Sequence, residues 1–407
     1  MKPFVVILLC LTTMLSSEAA DLYVNNSGQP DSYTTISAAI AAAAAGDRIF
    51  VSPFGEYTED LTITQDVTLA SAAAGTSFNV VGSLTITCTP NMNVRVIGGS
   101  FSNSITAQTG SATLNDMANV YIVECKFSAT NGYDFVRMHV LFCDLSNNTI
   151  AIRHGEIRGN KNCGLVSIND GPNAGIGDTL FIVGNTLADN RYINWNNDDN
   201  YFWIANNRID TEGRGLQIFK HHFNSVANNN IINNYIQGGD NYSTSYQSPM
   251  YLSTPSNLDN IYVYNNVIES ASSNNGSYNR VIFVNSPYTG SIKLYYNYLR
   301  GYNNGATQNA AEKIVGNITR GTDDPLLLVD LDGRCTEATC IDKGSPALQY
   351  YDIDMTRNDI GSYGGPYSID NYMVAGAGKA RVYDLDMPFE IWSGQTPQVK
   401  AKAAHTK

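Results

Sequence analysis

The sequence predicts an all-β protein built as a parallel β-helix, a solenoid in which each turn of chain stacks on the turn before it. The main observation is an eight-residue pattern of two apolar residues two positions apart, a step rich in Gly and Asn, and an apolar anchor. Its eight copies are Val94–Phe101, Val120–Phe127, Cys143–Ile150, Leu180–Leu187, Phe202–Ile209, Asn229–Ile236, Ile261–Ile268 and Ile292–Leu299.

The spacing of the copies also favours a solenoid. The anchors lie 26, 23, 37, 22, 27, 32 and 31 residues apart. Strands that stay in register while their loops vary in length account for this drift, whereas a helical repeat would show apolar spacings of three and four. Successive turns then stack about 4.8 Å apart, so that equivalent residues form ladders.

A second β-like segment precedes many of the copies, which indicates at least two strands in each turn. These segments are Gly164–Asp170, Arg191–Asn197, Arg214–Lys220, Pro249–Pro255 and Arg280–Ser286.

Pairs of asparagines recur at the Gly/Asn-rich step. Their amides are expected to hydrogen-bond along the stack, and Asn also suits a left-handed backbone at a turn. We therefore assign a structural role to the pairs Asn147/Asn148, Asn206/Asn207, Asn233/Asn234 and Asn265/Asn266.

Residues 1–20 are typical of a secretory signal peptide. Lys2 precedes an apolar run from Phe4 to Leu15, and small residues follow at Ser17 and Ala19. The run is too short to span a membrane, so we expect a secreted or cell-surface protein with no transmembrane segment after cleavage. The net charge of -12 argues against a nucleic-acid partner.

Six cysteines remain after the signal segment. Cys335 and Cys340 form the favoured disulfide pair. The other four are expected to be small buried apolar residues, and the lack of a CxxC pair argues against zinc. These four are Cys88, Cys125, Cys143 and Cys163.

Residues 21–73 are predicted to form an N-terminal cap and the first turns. A short capped helix is expected from Thr35 to Ala45, ended by Gly46 and followed by a strand over Arg48–Ser52. The helix, GD pair, strand and GxYxE segment of Ile36–Glu59 resemble the start of many secreted right-handed parallel β-helix proteins of the pectate-lyase-like superfamily. The resemblance implies a right-handed solenoid over residues 74–366.

The C-terminal part is expected to close the solenoid. Asp323–Gly333, Lys343–Leu348 and Asp352–Pro366 resemble the closing segment of bacterial members of the superfamily. The acidic stretch that contains Asp352, Asp354 and Asp359 lacks the EF-hand spacing, which favours a structural role over Ca²⁺ binding. Residues 367–407 are expected to form a short β appendage or the start of a sandwich domain.

Enzymes of this superfamily that cut acidic polysaccharides place basic residues and Ca²⁺-binding carboxylates at outward positions of stacked strands. We expect the second strands to end on inward residues that stack on one another, namely Ile168, Trp195, Ile218 and Leu252. Two positions later, where each chain turns outward, come Asp170, Asn197, Lys220 and Thr254.

These positions suggest a lyase site. Lys220 and the adjacent His221 are the candidate catalytic residues, because a base beside a bound Ca²⁺ can remove the proton alpha to a uronate carboxylate. The candidate metal ligands are Asp170, Asp198 and Asp199. The alternative interpretation of these residues is a solvated loop edge.

Aromatic residues on neighbouring turns suggest contacts with sugar rings. The candidate substrate-binding residues are Trp203, Tyr251, His222 and Asn197. The segment His154–Glu156 only faintly resembles the GHG-like motif of hydrolases of this fold, and His154 is interpreted as an ordinary loop histidine.

Two functional hypotheses follow. The first is an exported surface or adhesion module that binds a polysaccharide or cell-surface glycan without catalysis, since no complete catalytic motif is present. The second is a Ca²⁺-assisted lyase acting on a uronate polysaccharide. Fold alone does not decide between them.

Overall fold

The computed structural model describes residues 19–73, 75–109, 116–132, 136–169, 178–187, 191–197, 200–220, 229–239, 248–253, 261–270, 280–284, 292–301, 311–321, 324–327, 329–330, 334–373, 379–386 and 400–406. Residues 1–18 of the predicted signal peptide, which comprises residues 1–20, lie outside these ranges.

The chain coils into long all-parallel sheets, which confirms the predicted parallel β-helix. The largest sheet, here called sheet A, has thirteen strands. In spatial order they are β1 (Asp21–Val24), β2 (Asp47–Val51), β5 (Val67–Ser71), β8 (Asn93–Ile97), β11 (Ala118–Val123), β13 (Val136–Leu141), β15 (His154–Arg158), β17 (Thr179–Val183), β20 (Tyr201–Ala205), β23 (Asn229–Ile232), β26 (Ile261–Tyr264), β29 (Ile292–Tyr295) and β31 (Ala311–Val315).

Sheet B has ten strands and contains all five of the predicted second segments. Its strands are β4 (Leu61–Ile63), β7 (Leu84–Cys88), β10 (Ile105–Thr109), β12 (Ala129–Gly132), β14 (Thr149–Ile152), β16 (Val166–Asn169), β19 (Ile193–Asn196), β22 (Leu216–Lys220), β25 (Met250–Leu252) and β28 (Ile282–Val284).

A third face completes each turn. Its three-stranded part contains β3 (Glu56–Tyr57), β6 (Phe78–Val80) and β9 (Gly99–Phe101). Its six-stranded part contains β18 (Thr186–Leu187), β21 (Arg208–Asp210), β24 (Tyr235–Gly238), β27 (Val267–Ser270), β30 (Tyr298–Arg300) and β32 (Ile318–Arg320). The complete turns therefore carry three strands, and their inward apolar residues form one continuous core.

The first turn explains the N-terminal motifs. Helix α1 (Ile36–Ala42) ends earlier than predicted, because Ala43 adopts an extended backbone. The Glu59 carboxylate accepts hydrogen bonds from the first amides of α1, at 2.8 and 3.0 Å. Asp47 accepts hydrogen bonds from the backbone of Ala20 and Ala44, both at 2.7 Å. The GD pair and the final Glu of the GxYxE segment thus fasten the helix and its flanking chain to the first strands.

The Gly/Asn-rich step is a tight bend between sheet A and the third face. Its first residue has a left-handed backbone, with φ of 54° at Asn206, 53° at Asn233 and 68° at Gly184. Gly184 is required for a second reason, because a Cβ atom there would lie 2.2 Å from the ring of Tyr372.

The second residue of the step forms a buried amide ladder. From Asn185 onward, each side-chain oxygen accepts hydrogen bonds from the backbone N–H and the side-chain amide of the preceding member, at 2.8–3.0 Å, and the oxygen of Asn160 accepts from the backbone N–H of Cys143. The members are Asn160, Asn185, Asn207, Asn234, Asn266, Asn297 and Asn317. Each also donates to a carbonyl of an adjacent turn, as Asn234 does to Ile204 at 2.9 Å. The predicted amide ladder is confirmed.

Thiols take the place of amides in the earlier turns. The backbone N–H of Gly99 contacts Sγ of Cys125 at 3.4 Å, and that of Cys125 contacts Sγ of Cys143 at 3.4 Å. As predicted, Cys88, Cys125, Cys143 and Cys163 are buried free thiols. Cys335 and Cys340 form the expected disulfide.

One predicted copy was out of register. Cys143 occupies the ladder position, so the anchor of this turn is the buried Leu145, and Ile150 belongs to sheet B. Asn147 is exposed and Asn148 donates to Phe127, so this pair does not join the ladder. Phe142 takes the left-handed position at this bend, and the Asn147/Asn148 pair further along the chain matches the repeat pattern better than the true bend does.

The first asparagine of three pairs holds the returning C-terminal segment. Asn206 donates to the carbonyls of Ser362 and Gly364, at 3.0 and 2.6 Å. Asn233 donates to Asp359 at 2.9 Å, and Asn265 accepts from the backbone of Ser345 at 2.7 Å. The segment from Ser345 to helix α2 (Asp370–Met373) therefore packs along the bends of the solenoid, beside a short 3₁₀ helix at Leu348–Tyr350.

A buried carboxyl lies where this C-terminal part meets the third face. Glu269 is fully buried and accepts a hydrogen bond from the backbone N–H of Leu327 at 2.9 Å. Burial raises its pKa to about 7, although this hydrogen bond and the nearby Arg300 lower it. The last described strands, β33 (Lys379–Asp386) and β34 (Lys400–Thr406), form an antiparallel pair.

The ladder predicts a large loss of stability for Asn234→Ala. The change leaves Ile204 and the Asn207 amides without their partners, so we expect the free energy of unfolding to fall by about 3 kcal/mol. The measurement is the urea midpoint. The control is Asn79→Ala, an exposed position on β6 that should change stability by less than about 0.5 kcal/mol. Equal effects at the two positions would contradict a stabilising ladder.

Because Glu269 titrates in the folded protein, we expect the free energy of unfolding to depend on pH. The pKa of Glu269 in the folded protein, about 7, lies above the ordinary glutamate value of 4.5, so the folded state binds the proton more tightly. This contribution to stability is lost as the pH rises from about 4.5 to 7. Glu269→Gln removes the titration. Between pH 4 and pH 8, the free energy of unfolding of the variant should therefore increase by about 3 kcal/mol relative to that of the wild type. Glu56→Gln, exposed on β3, should show no such gain.

Candidate functional site

A row of polar and aromatic side chains runs along the outward face of sheet A, one from each turn. The strand register aligns them directly. This outward row consists of Arg95, Tyr121, His139, Glu156, Phe181, Trp203, Asn230, Tyr262 and Lys293.

The first members of the outward row stack on one another. The Arg95 guanidinium lies 5.2 Å from the Tyr121 ring centre, and the Tyr121 and His139 rings are parallel with centres 4.3 Å apart. Stacking along the solenoid axis covers the faces of these rings and restricts how the His139 imidazole can turn.

His139 is paired with a buried carboxylate on the next turn. Its Nδ1 lies 2.8 Å from Oε1 of Glu156, whose side chain is 4% exposed. The other carboxylate oxygen accepts from Nε of Arg158 at 2.5 Å, and the Arg158 guanidinium lies 4.8 Å from the Phe181 ring centre. A buried carboxyl group needs such partners, and Glu156 has one at each oxygen, His139 at Oε1 and Arg158 at Oε2.

A cavity of about 200 Å³ opens beside this pair. Arg137 and Asp178 form an ion pair at one side of it, with Nη2 to Oδ2 at 2.6 Å. The aromatic ring of Phe181 provides an apolar wall. Nε2 of His139 is buried and has no hydrogen-bond partner among the described residues.

The cavity is supported by a buried polar cluster. Asn200, which lines the cavity, donates to the carbonyl of Arg153 at 2.9 Å and contacts Nδ1 of His154 at 3.1 Å. His154 lies on β15 rather than in a loop, which corrects its interpretation as a loop histidine. Its side chain is buried, and burial lowers its pKa to about 4, so the imidazole is neutral near pH 7.

The predicted inward ladder of sheet B is confirmed. Ile168, Trp195, Ile218 and Leu252 are directly paired from turn to turn. A bulge in β22 then pairs Lys220 with Asn196 rather than placing it level with Asn197. Lys220 thus ends a strand of sheet B, whereas His139 and Glu156 belong to sheet A.

Three of the predicted substrate-binding residues are described. Asn197 is fully buried and donates to the carbonyl of Asn169 at 2.8 Å. Trp203 is half-buried in the outward row, between Phe181 and Tyr367 at 6.4 Å from each ring centre. Tyr251 is 8% exposed and lies on sheet B, with the Arg214 guanidinium 3.9 Å from its ring centre.

The other predicted site residues are Asp170, Asp198, Asp199, His221 and His222, which lie outside the described residues. Among the residues that the structure does describe, no group of three or more His, Cys, Asp or Glu side chains is placed to hold a metal ion.

The cavity was not predicted from the sequence, although two residues beside it had been singled out. His154 and Glu156 were noted as a faint motif, but they are two residues apart and both reach the sheet A face. His139 and Arg137 lie on the preceding strand, in the turn whose repeat was placed out of register. Correct placement of Phe142 at the bend would have aligned His139 with Glu156.

No protein-family model matches the chain, and no curated protein matches it either. Within the described part of the chain, no helix has the length and apolar character needed to cross a membrane.

Proposed function

We propose that this protein is an exported β-helix protein that binds an extracellular or cell-surface polysaccharide along the outward row of sheet A. The cavity beside His139 receives one sugar unit of the polymer. The observation that carries the proposal is this cavity, in which charged and amide groups surround an aromatic wall.

The chemistry of the cavity supports a sugar ligand. A sugar offers hydroxyl groups that pair with charged and amide side chains, and apolar C–H groups that pack on an aromatic ring. Arg137, Asp178 and Asn200 supply the first kind of contact, and Phe181 supplies the second. Trp203 continues the aromatic surface one turn further along the row.

The shape of the outward row supports a polymer rather than a free monosaccharide. Its members are paired in register from one turn to the next, about 4.8 Å apart, so they form a continuous ladder. The predicted signal peptide and the resemblance of Ile36–Glu59 to secreted proteins of the pectate-lyase-like superfamily support an extracellular ligand.

The binding proposal predicts a loss of affinity on removal of the aromatic wall. Phe181→Ala and Trp203→Ala should each raise the Kd for a bound polysaccharide about tenfold or more, equivalent to about 1.4 kcal/mol. The measurement is affinity electrophoresis in gels containing pectin, alginate or hyaluronan. The matched control is Phe50→Ala, on sheet A near the first turn, where Phe50 stacks on Tyr23. Unchanged retardation of both cavity variants would contradict the proposed site.

A second candidate function is a Ca²⁺-assisted lyase with Lys220 and His221 as catalytic residues and Asp170, Asp198 and Asp199 as metal ligands. The confirmed register of Ile168, Trp195 and Ile218 favours it, because it brings the ends of these strands to one edge of sheet B.

This second function predicts cleavage that depends on both the metal and the lysine. Ultraviolet absorbance from the unsaturated product should appear with a uronate polymer, disappear with EDTA and return with added Ca²⁺. Lys220→Ala should lower the rate about 100-fold or more. Activity that survives both treatments would contradict this assignment.

A further inference from the structure

The chain that follows β32 lies over the outside of the third face before it joins the returning C-terminal segment. We call it the strap, and its described residues are 324–327, 329–330 and 334–344. Leu327 and Cys340 of the strap pack on outward residues of the third face, namely Tyr235, Val267 and Tyr298. These contacts form a small hydrophobic cluster separate from the main core, so the strap is a layer added to the outside of the coil.

The two ends of the strap are held differently. The C-terminal end contains the disulfide Cys335–Cys340 and joins the returning segment, where the backbone N–H of Gly344 donates to the carbonyl of Asn358 at 2.7 Å. The N-terminal end is held by the side chains of Glu269 on β27 and Arg300 on β30. A change in the charge of Glu269 therefore acts on the N-terminal end.

Glu269 is a buried carboxyl group in the contact between the strap and the third face. Its Oε1 accepts a hydrogen bond from the backbone N–H of Leu327 at 2.9 Å. Its Oε2 is buried and has no hydrogen-bond partner among the described residues. A carboxylate with one oxygen unpaired is costly to bury, whereas a proton on that oxygen makes the group neutral. The closed strap therefore favours the protonated form.

The surroundings of Glu269 compensate a negative charge only in part. Arg300 is paired with Glu269 across the two strands, but its guanidinium donates to the carbonyls of Asp324 at 2.8 Å and Ser270 at 2.5 Å. The nearby charged or titratable side chains are Tyr235 on β24, Tyr298 and Arg300 on β30, and Glu337 in the strap. Burial raises the pKa of both tyrosines, so they are neutral near pH 7, and Glu337 adds a like charge.

We propose that the strap is a pH-operated latch, which is closed on the third face while Glu269 is protonated and opens locally at residues 324–327 when Glu269 loses its proton. Ionised Glu269 attracts the Arg300 guanidinium away from the Asp324 carbonyl, and its charge gains contact with water when the chain above it lifts. The hydrophobic cluster still favours closure, so deprotonation raises the frequency of opening.

The direction of the effect follows from the two environments of the carboxyl group. In the closed strap the pKa of Glu269 is about 7, and in the open strap water returns it towards the ordinary value of 4.5. Closure therefore binds the proton, and its advantage is complete below pH 4.5 and is lost as the pH rises to about 7. Between pH 4 and pH 8, the open fraction should rise about 200-fold.

The test is amide hydrogen exchange of the full chain at single-residue resolution between pH 4 and pH 8, corrected for the intrinsic pH dependence of exchange. The reporter is the Leu327 amide, which donates to Glu269. The reference is the Asn234 amide, which donates to Asn266 within the buried ladder. Wild type is compared with Glu269→Gln, which keeps an acceptor for Leu327, and with the matched control Glu56→Gln, exposed on β3.

We expect the corrected exchange rate of the Leu327 amide to rise about 200-fold from pH 4 to pH 8 in wild type and in Glu56→Gln. In Glu269→Gln it should change less than about threefold, because the titrating group is gone. The Leu327 amide should exchange at least about tenfold faster than the Asn234 amide and respond little to low urea, since a local opening exposes little surface.

The latch is overturned if the corrected exchange of the Leu327 amide in wild type is the same at pH 4 and pH 8, a result that needs no variant. It is also overturned if Glu269→Gln keeps the pH dependence, or if the Leu327 and Asn234 amides exchange at equal rates, because the strap would then open only when the whole chain unfolds. Each of these results leaves the binding proposal unaffected, since the latch lies on the third face and the cavity on sheet A.

Discussion

The structure depends on satisfying the backbone at the buried bend between sheet A and the third face. Each bend turns the chain sharply, which leaves amide and carbonyl groups that no strand pairs, and unpaired polar groups in a core are expensive. The ladder from Asn160 to Asn317 satisfies them by bonding each turn to the next. Because every member is both donor and acceptor for its neighbours, the ladder fixes the register of successive turns and therefore of all three faces.

That register determines what the outer surface presents. Once the bends are aligned, residues at equivalent positions of sheet A fall into one line, and side chains from different turns meet at the separation of paired strands. His139 and Glu156 meet in this way, although they are 17 residues apart in the chain. A chemically organised cavity can thus arise on a repeat whose own consensus carries no functional residue.

The asparagine pairs show how one motif serves two purposes. The second residue of a pair builds the ladder, while the first, in its left-handed conformation, directs its amide to the returning C-terminal segment, as Asn206 and Asn233 do. This segment brings Tyr367 and Tyr372 against sheet A. The solenoid and its closing segment are consequently held together at the bends of Asn206, Asn233 and Asn265, and the aromatic surroundings of Trp203 depend on both.

The sequence by itself determined the parallel β-helix, the amide ladder, the Cys335–Cys340 disulfide and the inward stack of Ile168, Trp195, Ile218 and Leu252. The disulfide follows from the short spacing of its two cysteines, and the other three follow from local periodicity, because alternation and turn residues recur within each repeat. The tertiary structure alone decided which outward residues meet. The bend at Phe142 lacks a Gly or Asn, and the bulge at Lys220 shifts the pairing by one residue, and neither leaves a mark in the repeat pattern. His139 and Glu156 lie on successive turns, so their meeting depends on the alignment of two bends, which the folded chain establishes.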